Sequence, residues 1–186
     1  MLEALSNIIT AFGLSASAGL NAYIPLLIVA LLARFTQLVH LKPPFDALTN
    51  VWVMLVLAVL VLIEALVDKI PAVDTVNDII QTLVRPAAGA ILFAASTDVV
   101  TGVHPVLALI CGILVAGTVH VAKSTARPVI TVATAGVGDP VVSTAEDVTS
   151  AVVSILSILI PALALVCIIV GVFMIVRALR SRRART

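Results

Sequence analysis

Long apolar runs broken by short polar punctuation organise this chain. Crossing a bilayer as a helix takes ~20 mostly apolar residues, and four stretches meet or approach that length: residues 20–39, 51–67, 103–122 and 149–176. A fifth, residues 73–97, is amphipathic in its first half and apolar in its second, with Arg85-Pro86 at the join, and is read as a further span. Pro86 removes a helix hydrogen bond and Gly89 follows it, so a kink is expected there, and Pro161 predicts the same in the last helix. That last helix is long enough to tilt or to run past the membrane.

Two stretches of small, polar, helix-weakening residues interrupt the pattern: Gly13-Leu-Ser-Ala-Ser-Ala-Gly19 and Thr131-Val-Ala-Thr-Ala-Gly-Val-Gly-Asp-Pro140. Unpaired backbone groups are costly in hydrocarbon, so irregular chain at membrane depth persists only where protein or a watery cavity covers it. The leading residues 2–12 make only ~15 Å of helix, which fits a half-helix that enters and returns or one that lies on the surface. Residues 123–148 are apolar enough at Pro128-Val-Ile-Thr-Val-Ala-Thr-Ala to favour a re-entrant hairpin over a solvated loop. Residues 40–50, with Lys42, Pro43, Pro44 and Asp46, read as a connecting loop on the cytoplasmic side. Ala16-Ser-Ala-Gly-Leu20 and Ala133-Thr-Ala-Gly-Val137 resemble each other, and each precedes a polar residue, a proline and an apolar helix. Paired breaks of this kind occur in transporters built from inverted repeats, although short matches also arise by chance in an Ala/Val/Gly-rich chain.

Composition makes the membrane reading firm. The 186 residues are 61% hydrophobic and 11% charged, with a mean hydropathy of +1.23, far beyond a soluble domain. The expected fold class is all-α: a single polytopic membrane domain, 1–186, with about five transmembrane helices and one or two re-entrant segments. Its halves would be 1–70 and 71–176. The start, Met1-Leu-Glu-Ala-Leu-Ser-Asn, has no basic region and carries an acid, so a retained N-terminus is expected rather than a cleaved signal. Five of the eleven Lys and Arg residues (Arg177, Arg180, Arg182, Arg183, Arg185) lie in the last ten positions. This basic tail, 177–186, places the C-terminus in the cytoplasm of a multi-pass cell (plasma or inner) membrane protein by the positive-inside rule. No nucleic-acid partner is expected. Cys111 and Cys167 sit in apolar runs without metal-ligand spacing and read as packing residues.

The charges that remain inside form two groups. Glu64, Asp68, Lys69, Asp74, Asp78 and Arg85 make the first, in which Glu64/Asp68 and Asp74/Asp78 are each four apart and share a helix face. Arg85 follows Asp78 by seven residues on that face. His120, Lys123, Arg127, Asp139, Glu146 and Asp147 make the second and bracket the second interruption. A charge at the centre of a membrane helix costs at least ~2.5 kcal/mol, so these residues need partners or water. Arg85 and Arg127, assisted by Lys69, Lys123 and Asn21, are the expected binders of an anion, since guanidinium presents a planar fork of donors. Glu64, Asp68, Asp74, Asp78 and Glu146 are the expected proton-carrying counter-charges. The structural alternative is that Arg85 pairs with Asp78 and Arg127 with Glu146 only to hold helices together, that Asp74 serves the dipole of a helix start, and that Asn21 caps a helix. His104, before Pro105 at a helix start, and His40, in a loop, suggest no metal, and neither metal nor cofactor is expected.

Four motifs carry a resemblance: Gly19-Leu-Asn-Ala-Tyr-Ile-Pro-Leu, Asp68-Lys-Ile-Pro-Ala-Val-Asp74 with Asp78, Arg85-Pro-Ala-Ala-Gly-Ala90, and Lys123-Ser-Thr-Ala-Arg-Pro leading to Pro140-Val-Val-Ser-Thr-Ala-Glu-Asp147. Through them nearly the whole chain resembles a bacterial family of small polytopic membrane proteins known only as a domain of unknown function. The resemblance implies no activity. The arrangement is also similar in architecture to DedA-like proteins, which are linked to moving polyprenyl-phosphate lipids.

The expected function is secondary transport of an anionic solute, a phosphate- or carboxylate-bearing metabolite or lipid, coupled to protons, with the bilayer and that anion as partners and homo-oligomers allowed. The alternatives are an oligomeric ion channel and a non-transporting membrane scaffold. No Ser/His/Asp set, metal-ligand spacing or phosphate loop points to an enzyme.

Overall fold

The structure, a computed structural model, describes residues 2–67, 71–97 and 103–161 together with 163, 166, 169, 170, 173 and 177, and excludes the side chains at 2, 3, 71–76 and 78. Its regular elements are all helical among the described residues: α1 (Leu2–Leu20), α2 (Tyr23–Phe35), a 3-10 turn (Phe45–Thr49), α3 (Val51–Val67), α4 (Pro71–Thr97), α5 (Pro105–Thr134) and α6 (Asp139–Leu159). Three are long and apolar enough to cross a membrane, within Ile79–Thr97, Pro105–Thr134 and Asp139–Leu159, and α1, α2 and α3 are shorter apolar helices.

The first interruption is not a break. Gly13 to Gly19 lies wholly inside α1, which unites the leading residues with this stretch in one 19-residue helix. The small residues are there for contact. A side chain at Gly13 would run into Ser157 of α6, and one at Gly19 into the Ala116 carbonyl and Val119 of α5. Ser15 Oγ donates to the Gly89 carbonyl at 2.9 Å, and Ser17 Oγ to the Ser150 carbonyl at 2.7 Å. Helices in apolar surroundings associate through such small residues and inter-helix hydroxyl bonds. The chain breaks instead at Asn21-Ala22, and the span expected over 20–39 is the 13-residue α2, which stops at Phe35.

The second interruption is a true break, narrower than its sequence suggests. Helix α5 runs 30 residues through Lys123, Arg127 and Pro128 to Thr134. The turn is confined to 135–138, with left-handed backbone at Ala135 (φ 49°) and Gly136 (φ 81°). Residues 123–148 are therefore the end of α5, a tight turn and the start of α6. Thr131 Oγ1 donates to Asp139 Oδ1 at 2.9 Å across this turn. The two look-alike stretches thus differ in conformation: Ala16 to Leu20 is helical throughout, whereas Ala133 to Val137 crosses the turn.

The last expected span, 149–176, starts earlier and is interrupted at its proline. Helix α6 covers Asp139–Leu159, Ile160 leaves helical backbone (φ −142°, ψ 74°), and the described residues beyond it, 161, 163, 166, 169, 170, 173 and 177, are helical again. Pro161 explains the interruption, because the residue before a proline is pushed out of the α region. Helix α3 keeps its expected bounds, and α4 starts two residues earlier than expected. Residues 40–50 form the expected connection, with the 3-10 turn inside it.

Helices α1, α4 and α5 form the centre, with α6 laid along α1 and α3 against α2. The main core joins Leu14, Ala18, Leu26, Val29, Leu57, Ala88, Leu92 and Ala116. Around it the surface is apolar: on α3 only Met54, Leu57 and Glu64 are buried, while Trp52, Leu55, Val59, Leu62 and Leu66 are exposed. Such a belt of outward apolar side chains suits lipid. Cys111 packs beside a second small core containing Phe93, Ala94 and Ala108; Cys167 lies outside the described residues.

The closest approach is between α4 and α5. A Cβ at Gly112 would meet the Gly89 carbonyl oxygen and the Ala90 Cα, both backbone atoms, whereas one at Gly117 would meet only Pro86 Cγ at 3.8 Å. Gly112→Val is expected to lower stability by at least ~1–3 kcal/mol, the usual cost of overpacking, and Gly117→Ala to cost nothing. Thermal unfolding of both variants in detergent checks the contrast.

Candidate functional site

The α1–α2 break is built from its own residues. Asn21 Oδ1 accepts from the backbone N–H groups of Tyr23 and Ile24, each at 3.0 Å, which caps α2. Its Nδ2 donates to Asp147 Oδ1 of α6 at 2.9 Å. The Leu20 carbonyl, at the C-terminal end of α1, accepts from Lys123 Nζ at 2.9 Å. A cation there satisfies an orphan carbonyl and suits the helix dipole. The small, polar residues that singled out this region thus lead up to a helix break, which lies just beyond the glycines.

Two groups of charge meet in the bundle. In the first, Arg85 of α4 is fully buried and donates from Nη2 to Glu64 Oε1 of α3 at 3.0 Å. Its Nη1 lies 3.0 Å from His120 Nδ1 of α5, and His120 Nε2 lies 3.1 Å from Thr82 Oγ1. Guanidinium only donates, so Nδ1 must offer a lone pair and the imidazole proton sits on Nε2, facing Thr82. In the second, Lys123 Nζ and Arg127 Nη2 of α5 both reach Glu146 Oε2 of α6, at 2.9 and 2.8 Å. The buried positions of α5, Ala108, Gly112, Ala116, His120, Lys123 and Arg127, follow helical spacing along one face. The face that packs as small residues at one end is charged at the other.

Among the expected site residues, Arg85 and Glu64 come together in one group and Lys123, Arg127 and Glu146 in the other, while Asn21 bonds Asp147, the chain neighbour of Glu146. Asp68 and Lys69 lie outside the described residues, as do the side chains of Asp74 and Asp78, whose backbones belong to α4. Arg127 takes the partner expected of it, Glu146, and Arg85 is paired with Glu64. Glu146 and Asp147 lie about two turns inside α6, not at its start, where Asp139 stands instead. His104 caps α5 by accepting from Val106 N–H at 3.3 Å. Sequence reasoning gave His120 no role and passed over Thr82 and Gln81. The signal was present in spacing: Gln81 and Thr82 precede Arg85 by four and three residues, on the same face of α4. Among the described residues no group of His, Cys, Asp and Glu is placed to hold a metal ion.

An all-helical bundle with an apolar exterior, three helices long and apolar enough to cross a membrane and two groups of buried polar contacts is compatible with a membrane protein. The chain belongs to the family described as Domain of unknown function (DUF4126), whose model matches residues 8–181. No curated protein and no solved structure matches it, so the likeness to DedA-like proteins stays an expectation from sequence.

Proposed function

We propose that this protein is a proton-coupled secondary carrier of an anionic solute bearing a phosphate or carboxylate group, free or on a lipid. The observation that carries this reading is the convergence of Lys123 and Arg127 on the single oxygen Glu146 Oε2 within the bundle. An incoming anion exchanges with that carboxylate for the same two donors, and the interaction is strong away from bulk water. The α1–α2 break supports it further. A broken helix whose free carbonyl is taken by Lys123 is the kind of irregular backbone tolerated at membrane depth where it borders a site. In this reading α4, α5 and α6 cross the membrane, α1 and α2 act as one discontinuous crossing, α3 completes the five, and the Arg-rich end stays cytoplasmic. Glu64, Arg85 and His120 form the proton-handling side.

Solute uptake and proton flux in proteoliposomes, with phosphate and carboxylate solutes offered in turn, test this. Wild-type protein is expected to show solute-dependent proton flux, and Lys123→Ala and Arg127→Ala to lose it by about tenfold or more, the worth of one charge-assisted hydrogen bond each. A salt-selective current without fixed proton stoichiometry favours the oligomeric channel. No flux with any solute, from protein that unfolds like a native fold, favours the scaffold.

A further inference from the structure

A cavity of about 190 Å³ opens among α1, α2, α4, α6 and the connection at 38–41. It lies away from both charged groups. Asn7, Thr10 and Leu14 line it from one face of α1, and Thr10 stands about 15 Å of helix before Leu20, where Lys123 bonds. On α4 it is lined by Ser96, well beyond Arg85. Ala18 and Leu92 of the main core stand between the two places along their helices. No Lys, Arg, Asp or Glu lines the cavity, and its one imidazole, His40, is exposed.

The polar lining holds more acceptors than donors. Thr10 Oγ1 donates to the Ser157 carbonyl and Ser96 Oγ to the Leu92 carbonyl, each at 2.7 Å, so both hydroxyl protons are committed and only lone pairs remain. The half-buried Asn7 amide, which has no hydrogen-bond partner among the described residues, offers an NH2 donor and a carbonyl acceptor. Leu14, Val29 and Ile158 supply apolar surface. An ion entering here loses hydration and meets no counter-charge. A neutral molecule with an O–H or N–H meets the acceptors and lays its apolar part on the aliphatic side chains. A cavity of about 150 Å³ takes a benzene ring, so a ring with one polar substituent fills this one. We propose that the cavity is a binding site for a small neutral molecule of that size, with a hydroxyl or amide donor on an apolar body. The site stands apart from the carrier reading, because neither charged group takes part in it.

The test is fluorine NMR of the purified full chain in detergent at neutral pH, with 4-fluorophenol, fluorobenzene and 4-fluorobenzoate as probes and empty micelles as the blank. The first carries a donor, the second none, and the third is an anion. Wild type is expected to bind 4-fluorophenol saturably and at least about fivefold more tightly than either of the others, the worth of about one hydrogen bond. Asn7→Leu keeps the bulk and removes the amide. It is expected to weaken 4-fluorophenol by about fivefold and to leave fluorobenzene as it was. Should Asn7→Leu fail to fold, Ser96→Val takes its place, since it removes an acceptor from the same lining. Equal affinity of wild type for 4-fluorophenol and fluorobenzene overturns the polar recognition, and tighter 4-fluorobenzoate overturns the preference for a neutral ligand. Binding of 4-fluorophenol that survives both substitutions unchanged puts the probe elsewhere and overturns the site. So does a response no different from that of empty micelles, which would mean that the cavity holds only water.

Discussion

Glu64→Ala is expected to destabilise the protein by ~3–5 kcal/mol, because it removes the buried carboxylate to which the fully buried Arg85 guanidinium donates. Arg85→Ala is expected to cost as much for the mirror reason. The double variant Glu64→Leu/Arg85→Met should recover most of that loss, since a buried ion pair replaced by apolar side chains of similar size is often neutral or stabilising. Unfolding of all four proteins in detergent checks these expectations, and Glu64→Leu and Arg85→Met measured singly close the double-mutant cycle. The same double variant separates fold from function. If the pair only joins α3 to α4, a stable double variant behaves as wild type in every assay; if it belongs to a carrier, the double variant is stable and does not transport. A double variant as unstable as Glu64→Ala would mean that His120 and Thr82 depend on Arg85 for their own hydrogen bonds, which would make the network a single structural unit.

What sequence made legible here follows the range of the interactions. Local rules worked. The run of apolar residues in α3, the cap at Asn21, the His104-Pro105 start of α5 and the interruption at Pro161 each depend on residues within a few positions of one another. The misplacements come from features that are ambiguous without a neighbour. Gly13, Ser15, Ser17 and Gly19 weaken a helix in isolation, but in α1 their missing bulk and their hydroxyls are matched by Ser157, Gly89, Ser150 and Ala116 from three other helices. Charge at Lys123 and Arg127 argued for leaving a membrane helix, yet α5 continues because Glu146 and the Leu20 carbonyl meet both side chains from α6 and α1. Charge in an apolar chain is conspicuous, so the charged residues that pair in the bundle were singled out by sequence. Arg127 and Glu146 face each other across one turn, within reach of a local argument, whereas Glu64 reaches Arg85 across the α3–α4 connection and His120 reaches it from α5; the side chain of Asp78, the partner expected for Arg85, lies outside the described residues. Thr82, the uncharged member of the network, carries no sequence signal beyond its spacing from Arg85.

The His120 geometry yields the second large effect. As built, Nδ1 accepts from Arg85 and Nε2–H faces Thr82, so the ring is neutral. A proton arriving at Nδ1 removes the lone pair on which that contact depends and sets an imidazolium against a guanidinium. Two like charges ~4 Å apart repel by about 4 kcal/mol at an effective dielectric of ~20, more than one hydrogen bond returns. In the carrier reading, a proton at Nδ1 therefore weakens the contact between His120 and Arg85, while Glu64 still accepts from Arg85. Imidazole is the side chain whose ordinary titration falls in the physiological range, which suits it to link a proton gradient to the position of Arg85. Glutamine keeps a carbonyl acceptor for Arg85 but takes up no proton. His120→Gln is accordingly expected to fold as wild type, to lose pH-gradient-driven solute accumulation in proteoliposomes by about tenfold or more, and to retain solute–solute exchange at a reduced rate. Accumulation and exchange falling by the same factor would place His120 in solute binding. Accumulation unchanged would leave the Arg85–His120 contact as packing alone and move the proton to the carboxylates.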